Sequence, residues 1–235
     1  MASTYSDMTN VETFTSRFIL NPFYKQFGVQ PVKAIYSDEN GKIKQNNDID
    51  CEINGIKIQE KSGKEMDGRI LIEIYNDVLA TPNYGLYGWG VISDATYHLI
   101  GYRGGSKKEL YNGKVYVAKI STKGIRNICG DLIKNIEFSN ILNHIKQDIL
   151  KGHATQRYRE CDLTILGKTI TIGILTNSSY KKNSNVLKYA VSIYVKVKDF
   201  MSFGKDFKYT LYKLDEQTNE YKLCNLQEDK SLKEV

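Results

Sequence analysis

Apolar and polar positions alternate along much of this chain. Leu187, Tyr189, Val191, Ile193, Val195 and Val197 interleave with Lys188, Ala190, Ser192, Tyr194 and Lys196, which predicts a half-buried strand over 187–197. Ile70, Ile72 and Ile74 set one face of a predicted strand over 69–75, with Arg69, Leu71, Glu73 and Tyr75 on the other. Further strands are predicted over 32–36, 95–102, 115–118 and 162–175, the last turning at Leu166-Gly167-Lys168. Residues 207–214 and 220–226 are expected to pair around 215–219.

Two stretches follow a helical period instead. Ser6 to Leu20 carries Val11, Phe14 and Phe18 as a stripe, capped by Ser6 or Asp7 and ended by Asn21-Pro22. Ser121 to Lys151 places Ile125, Ile128, Leu132, Ile136, Ile141, Ile145 and Ile149 near helical spacing, with Gly130 as the expected break. The implied fold class is α/β (α+β): a mixed central sheet flanked by helices, with an antiparallel β extension in the C-terminal half. The 235 residues suit a single domain, its core over about 1–150 and an elaboration over about 151–226.

The segment Asp48 to Lys61 is the strongest local signal. Asn54-Gly55 is the preferred pair for a two-residue hairpin turn, because both positions need positive φ. That turn sets Ile53 against Ile56, Glu52 against Lys57, Asp50 against Gln59 and Asp48 against Lys61. Alternation then places Asp48, Asp50, Glu52, Lys57, Gln59 and Lys61 on one face and Cys51, Ile53, Ile56 and Ile58 on the other. Two readings of the polar face stand open: a solvated outer face with cross-strand charge pairs, or a site.

Composition narrows the classes. No apolar run approaches the length of a membrane span, and no basic-then-apolar leader opens the chain, so a cytoplasmic protein is expected. Cys51, Cys129, Cys161 and Cys224 form no Cys-x-x-Cys pair and no ligand-spaced group with His98, His144 or His153, which argues for free thiols rather than zinc. His98, within an apolar strand pattern, is expected to be a satisfied core or edge residue. Residues 1–100 hold 9 Lys+Arg and 13 Asp+Glu, a net of −4, whereas 101–235 hold 24 and 14, a net of +10. An acidic region beside a basic one suits contact with a polyanion.

Read as a site, the hairpin has the donors that Mg²⁺ takes: one or two carboxylates, further oxygens, water and substrate phosphate. Asp50 offers a carboxylate, Gln59 an amide oxygen and Glu60 a backbone carbonyl. Lys61, on the same face as Gln59, can meet a phosphate. Glu12 would project from the opening helix as a further acid, or serve as a carboxylate near a helix start.

At these residues the chain resembles the PD-(D/E)xK nuclease superfamily, in which an acid is followed by a (D/E)xK tripeptide on the adjoining strand. Asp50 matches the first acid and Gln59-Glu60-Lys61 the tripeptide, with Gln59 where Asp or Glu is usual; a Gln-x-Lys variant occurs among restriction endonucleases of this superfamily. Gly68-Arg69-Ile70-Leu71-Ile72-Glu73, Gly88-Trp89-Gly90 and Asp94-Ala95-Thr96-Tyr97 are similar to a second segment of phage and restriction members. The resemblance covers roughly residues 48–102. It implies catalytic roles for Asp50, Gln59, Lys61 and Glu73, the last as an extra acid or else a strand-edge carboxylate paired with Arg69 or a lysine.

The implied activity is Mg²⁺-dependent hydrolysis of double-stranded DNA at a specific, two-fold sequence by a homodimer, as in type II restriction enzymes. A structure-specific nuclease such as a junction resolvase, or a non-catalytic DNA-binding protein on a nuclease scaffold, are the alternatives. Outside the resemblance, Arg157, Arg159, Lys181 and Lys182 are candidate phosphate contacts. Asn177, Asn183 and Asn185 are candidate base contacts.

Overall fold

The computed structural model describes residues 15–33, 36–37, 43–44, 50–63, 66–81, 86–103, 114–152, 157–180 and 187–224. Glu12, Asp48, Lys181, Lys182, Asn183 and Asn185 lie outside them. The architecture is the expected mixed α/β one, with a mixed sheet and an antiparallel sheet. Two compact units are built from interleaved segments. Residue 150, where the sequence suggested an elaboration to begin, falls inside the continuous segment Lys123–Phe207 of one unit.

The first unit comprises the described parts of Ser6–Gly68, Ser93–Thr122 and Lys208–Val235. Its sheet joins β1 (Val32–Lys33), β4 (Cys51–Ile53), β5 (Ile56–Gly63), β7 (Tyr97–Tyr102), β8 (Tyr116–Ser121), β12 (Tyr209–Asp215) and β13 (Glu220–Cys224) in the order β1-β4-β5-β7-β8-β12-β13. Only β5 and β7 pair in parallel; every other neighbouring pair is antiparallel. A separate ribbon pairs β2 (Tyr36–Ser37) with β3 (Ile43–Lys44). The β12–β13 pair turns where expected, with Asn219 at φ 56°.

One face of the large sheet is covered by a helix. Ile19, Leu20, Phe23 and Tyr24 pack on Cys51, Ile58, Leu99, Val115, Val117 and Tyr221. Phe23 meets Tyr212 and Tyr221 edge-on, at centroid distances of 5.1 and 5.3 Å. Asn21-Pro22 was expected to end this helix, but the helix runs on. Ser16–Leu20 is a π turn closed by the Asn21 N–H on the Ser16 carbonyl, and α1 (Asn21–Gln26) follows with Pro22 in its first turn. Proline is tolerated there because it lacks only a donor that the first turn leaves unused. The π turn also shifts the buried stripe: Phe18, expected inward, is exposed, while Ile19 and Leu20 are buried.

The second unit comprises the described parts of Arg69–Ile92 and Lys123–Phe207. Its four-stranded antiparallel sheet runs β6 (Arg69–Tyr75), β11 (Leu187–Lys196), β10 (Lys168–Tyr180), β9 (Arg157–Ile165). Ile70, Ile72, Ile74, Ile172, Ile174, Val191, Ile193 and Val195 form its buried face, as the alternation predicts. Leu166 and Gly167 take the expected β9–β10 turn with φ of 50° and 77°. Short helices α2 (Trp89–Ile92) and α5 (Val197–Ser202) border this sheet in sequence; α5 was not anticipated.

The long helical stretch divides into α3 (Thr122–Lys134) and α4 (Ile136–Leu150). The break falls at Asn135 rather than Gly130. Asn135 is extended and its side chain accepts the Phe138 N–H, so it caps α4, and its amide also donates to the Thr164 carbonyl. Gly130 stays helical with nothing near its absent side chain, so tertiary context overrides its weak propensity.

Candidate functional site

The site starts at the β4–β5 hairpin. Asn54 and Gly55 take φ of 49° and 79°, the turn that the sequence calls for. Cys51 pairs with Ile58, Glu52 with Lys57 and Ile53 with Ile56. The regular register ends at Cys51–Ile58, so the expected Asp50–Gln59 pairing is not part of the ladder. Two hydrogen bonds bracket Gln59 there: the Asp50 N–H donates to the Ile58 carbonyl at 2.9 Å, and the Glu60 N–H donates to the Asp50 carboxylate at 2.7 Å. The Asp50 side chain thus takes over a position that a main-chain carbonyl would fill in an uninterrupted ladder. A strand residue sends its N–H and C=O to the same edge. The Glu60 carbonyl therefore faces the Asp50 arm as well.

β5 divides its side chains between two environments. Ile58 and Glu60 face the helix-covered core. The Tyr24 hydroxyl donates to the Glu60 carboxylate at 2.9 Å, and the Cys51 thiol lies 3.8 Å away. Burial raises the Glu60 carboxyl above its usual range, the bonds from Tyr24 and Ser16 oppose this, and the Asp50 charge adds to it. Burial, followed by the Glu60 charge, pushes the Cys51 thiol up to about 12, so it stays protonated and inert near neutrality. The Tyr24 hydroxyl is likewise pushed up, first by burial and then by Glu60.

Gln59 and Lys61 face the other way. This polar face is not a solvated one at Gln59, whose exposure is 1 %. The parallel pairing of β5 with β7 puts Gln59 beside His98, which is 0 % exposed. The ring Nε2 of His98 lies 2.7 Å from the Gln59 amide oxygen, and its Nδ1 lies 2.9 Å from the Thr122 hydroxyl. An amide oxygen only accepts, so Nε2 carries the proton. Burial first, and the Lys61 charge second, lower the His98 pKa to about 3. The ring is therefore neutral, and Nδ1 accepts from Thr122. His98 is a satisfied core histidine, as expected. Asp50 and Lys61 are half-buried.

The remaining described candidates lie on elements of the other unit. Glu73 lies on β6, opposite Ser192 of β11, in the four-stranded sheet of the other unit. Gly88 backs onto it: a side chain there would meet the Glu73 carbonyl oxygen at 2.6 Å. Arg157 and Arg159 lie on β9, where Arg159 is exposed, and Asn177 lies half-buried on β10. Among the described residues, no three His, Cys, Asp or Glu side chains converge to hold a metal ion. The hairpin's oxygens are of a different kind: one carboxylate with neutral amide and carbonyl donors. Oxygens of these kinds are the ones a hard cation takes, but that of Gln59 is turned toward His98.

Two features of this site were not anticipated. Glu60 was assigned only a carbonyl role, yet its parity with Ile56 and Ile58 marks its side chain for the apolar face. The approach of His98 and Thr122 to Gln59 left no local signal, because it depends on a pairing across 39 residues. The four cysteines stand outside any disulfide, with Cys51 and Cys129 buried and Cys161 and Cys224 half-buried. Among the described residues, no helix is long and apolar enough to cross a membrane.

In comparisons with known proteins, no family model matches this chain, and no curated protein or solved structure matches it.

Proposed function

We propose that this chain is a Mg²⁺-dependent endonuclease that cuts double-stranded DNA, acting in the cytoplasm as a homodimer on a two-fold sequence. The observation that carries this reading is the hairpin itself: the Asp50 carboxylate is tied to the Glu60 N–H at 2.7 Å, beside Gln59 and one step from Lys61. An acid just before β4 is thereby tied to the strand that carries Gln59 and Lys61.

In this reading the Asp50 carboxylate, the Gln59 amide oxygen and the Glu60 carbonyl would hold Mg²⁺. The bound ion would lower the pKa of a water molecule and offset charge on the phosphate. Lys61 contacts the scissile phosphate and orients the attacking water. The Asp50–Glu60 bond fixes the acid against the strand that carries Lys61, so both groups meet DNA in a set geometry. The basic excess of residues 101–235 draws the polyanion in, with Arg157, Arg159, Lys181 and Lys182 as phosphate contacts and Asn183 and Asn185 as base contacts.

Digestion of a sequenced phage genome by the purified protein, followed by end mapping, tests this. Discrete fragments with Mg²⁺, and DNA binding without cutting in Ca²⁺, are expected. Cleavage confined to branched DNA would favour a junction-specific nuclease, and no cleavage of any DNA would leave a DNA-binding protein on a nuclease scaffold.

A further inference from the structure

Among the described residues, two buried polar side-chain atoms have no hydrogen-bond partner, Thr15 Oγ1 and Arg103 Nε. Both residues belong to the unit that holds the large sheet. Thr15, 1 % exposed, immediately precedes the π turn. It lies on Gly101 of β7, where an added Cβ would meet Thr15 Cγ2 at 2.5 Å. The Arg103 N–H donates to the Gly63 carbonyl at 3.3 Å, which carries the β5–β7 pairing one residue beyond Tyr102. Alternate strand residues share a face, so Arg103 follows Gly101 on the side that Thr15 covers. Ser62, the partner of Gly101 on β5, is half-buried and shares that side. The neighbouring hydroxyl of Ser16 is taken up by the Glu60 carboxylate, whereas that of Thr15 is unspent.

Buried polar groups are normally paired, and an unpaired one is costly. A guanidinium keeps its charge and only donates, and a hydroxyl with an unspent proton can donate as well. The complement of such a set is an acceptor that is also an anion. We propose that this end of β5 and β7 binds one tetrahedral oxyanion, a phosphate group, held by the Arg103 guanidinium and the Thr15 and Ser62 hydroxyls. A water molecule could accept from the same donors but would not offset the guanidinium charge. The site takes the phosphate directly, with no cation between. It does not depend on the endonuclease reading, because free phosphate and the phosphate of a nucleic-acid backbone offer the same kind of oxygen.

The test uses the full chain with Thr15→Val, Arg103→Gln and Arg103→Lys. Three quantities are measured: affinity for inorganic phosphate by calorimetric titration at constant ionic strength, affinity for a short DNA duplex in Ca²⁺ by gel shift, and the melting temperature in chloride alone. The wild type should bind phosphate saturably, and Thr15→Val and Arg103→Gln should each weaken binding by about tenfold or more, as loss of a charge-assisted hydrogen bond does. Arg103→Lys, which keeps the charge but not the planar fork, should fall between. In chloride, Thr15→Val should melt no lower than the wild type, because it removes a buried hydroxyl that has no partner, so its loss of binding is not loss of fold. Duplex affinity that falls in parallel in Thr15→Val identifies the anion as a backbone phosphate, and an effect confined to inorganic phosphate identifies a free one. Unchanged affinity for both ligands in Thr15→Val and Arg103→Gln, or no binding of either by the wild type, overturns the site. Phosphate binding by a protein that cuts no DNA would leave the site standing and remove the endonuclease reading.

Discussion

The Asp50 carboxylate accepts the main-chain N–H of Glu60 at 2.7 Å. Residue 60 is thereby held on two sides: its backbone by the acid just before β4, its side chain by Tyr24 of the covering helix at 2.9 Å. The acid, just before β4, is thereby tied to the strand that carries Gln59 and Lys61.

Asp50→Asn retains an oxygen for the Glu60 N–H but removes the charge. A charge-assisted bond becomes an ordinary one, so the expected stability loss is only about 1 kcal/mol. Mg²⁺-dependent cleavage should fall to background in the same protein. Calorimetry and a plasmid-cleavage assay on one preparation check both halves, and retained cutting would remove Asp50 from the site.

Lys61→Ala should lower the cleavage rate on the order of 10²–10³-fold, roughly 2.7–4 kcal/mol, by analogy with loss of one charge-stabilising donor. DNA binding in Ca²⁺ should change little. Single-turnover cleavage and a gel-shift titration separate the two, and equal rates for variant and wild type would place the chemistry elsewhere.

His98 makes stability depend on pH. It takes up a proton near 6.5 when unfolded but only at about 3 when folded. Between those values the unfolded chain binds more protons, so stability is present above pH 6.5 and is lost as the pH falls toward 3. The slope from this one group approaches about 1.4 kcal/mol per pH unit. Glu60 acts oppositely: its raised carboxyl makes the folded state the better proton binder just above 4.5, which softens the loss in that window. His98→Gln, with no proton to take up, should melt at a temperature less sensitive to pH between 4 and 6.5 than the wild type. Parallel melting curves against pH would show that another group controls acid lability.

Gly88 donates its N–H to the Ile74 carbonyl at 2.8 Å and lies against β6. An added Cβ would sit 2.6 Å from the Glu73 carbonyl oxygen and 2.8 Å from its carbonyl carbon, both backbone atoms. Gly88→Ala should therefore cost about 1–3 kcal/mol. Urea denaturation measures this, and an unchanged midpoint would mean that the 86–92 segment shifts freely.

Local chemistry alone determined much of this protein. Alternation marked the buried faces of β6 and β11, and Asn54-Gly55 set the hairpin register, because turn geometry and side-chain period are properties of a few neighbouring residues. The same period placed Glu60 beside Ile58. The tertiary structure decided what no window contains. The π turn let the helix pass through Pro22, and Asn135 broke the long helix by capping α4 where Gly130 did not. The parallel β5–β7 pairing buried Gln59 against His98 and Thr122, converting one residue of an apparently solvated face into the centre of a buried hydrogen-bonded chain. Such pairings join residues far apart in sequence, and their stability comes from the whole sheet, so the strands themselves carry no mark of them.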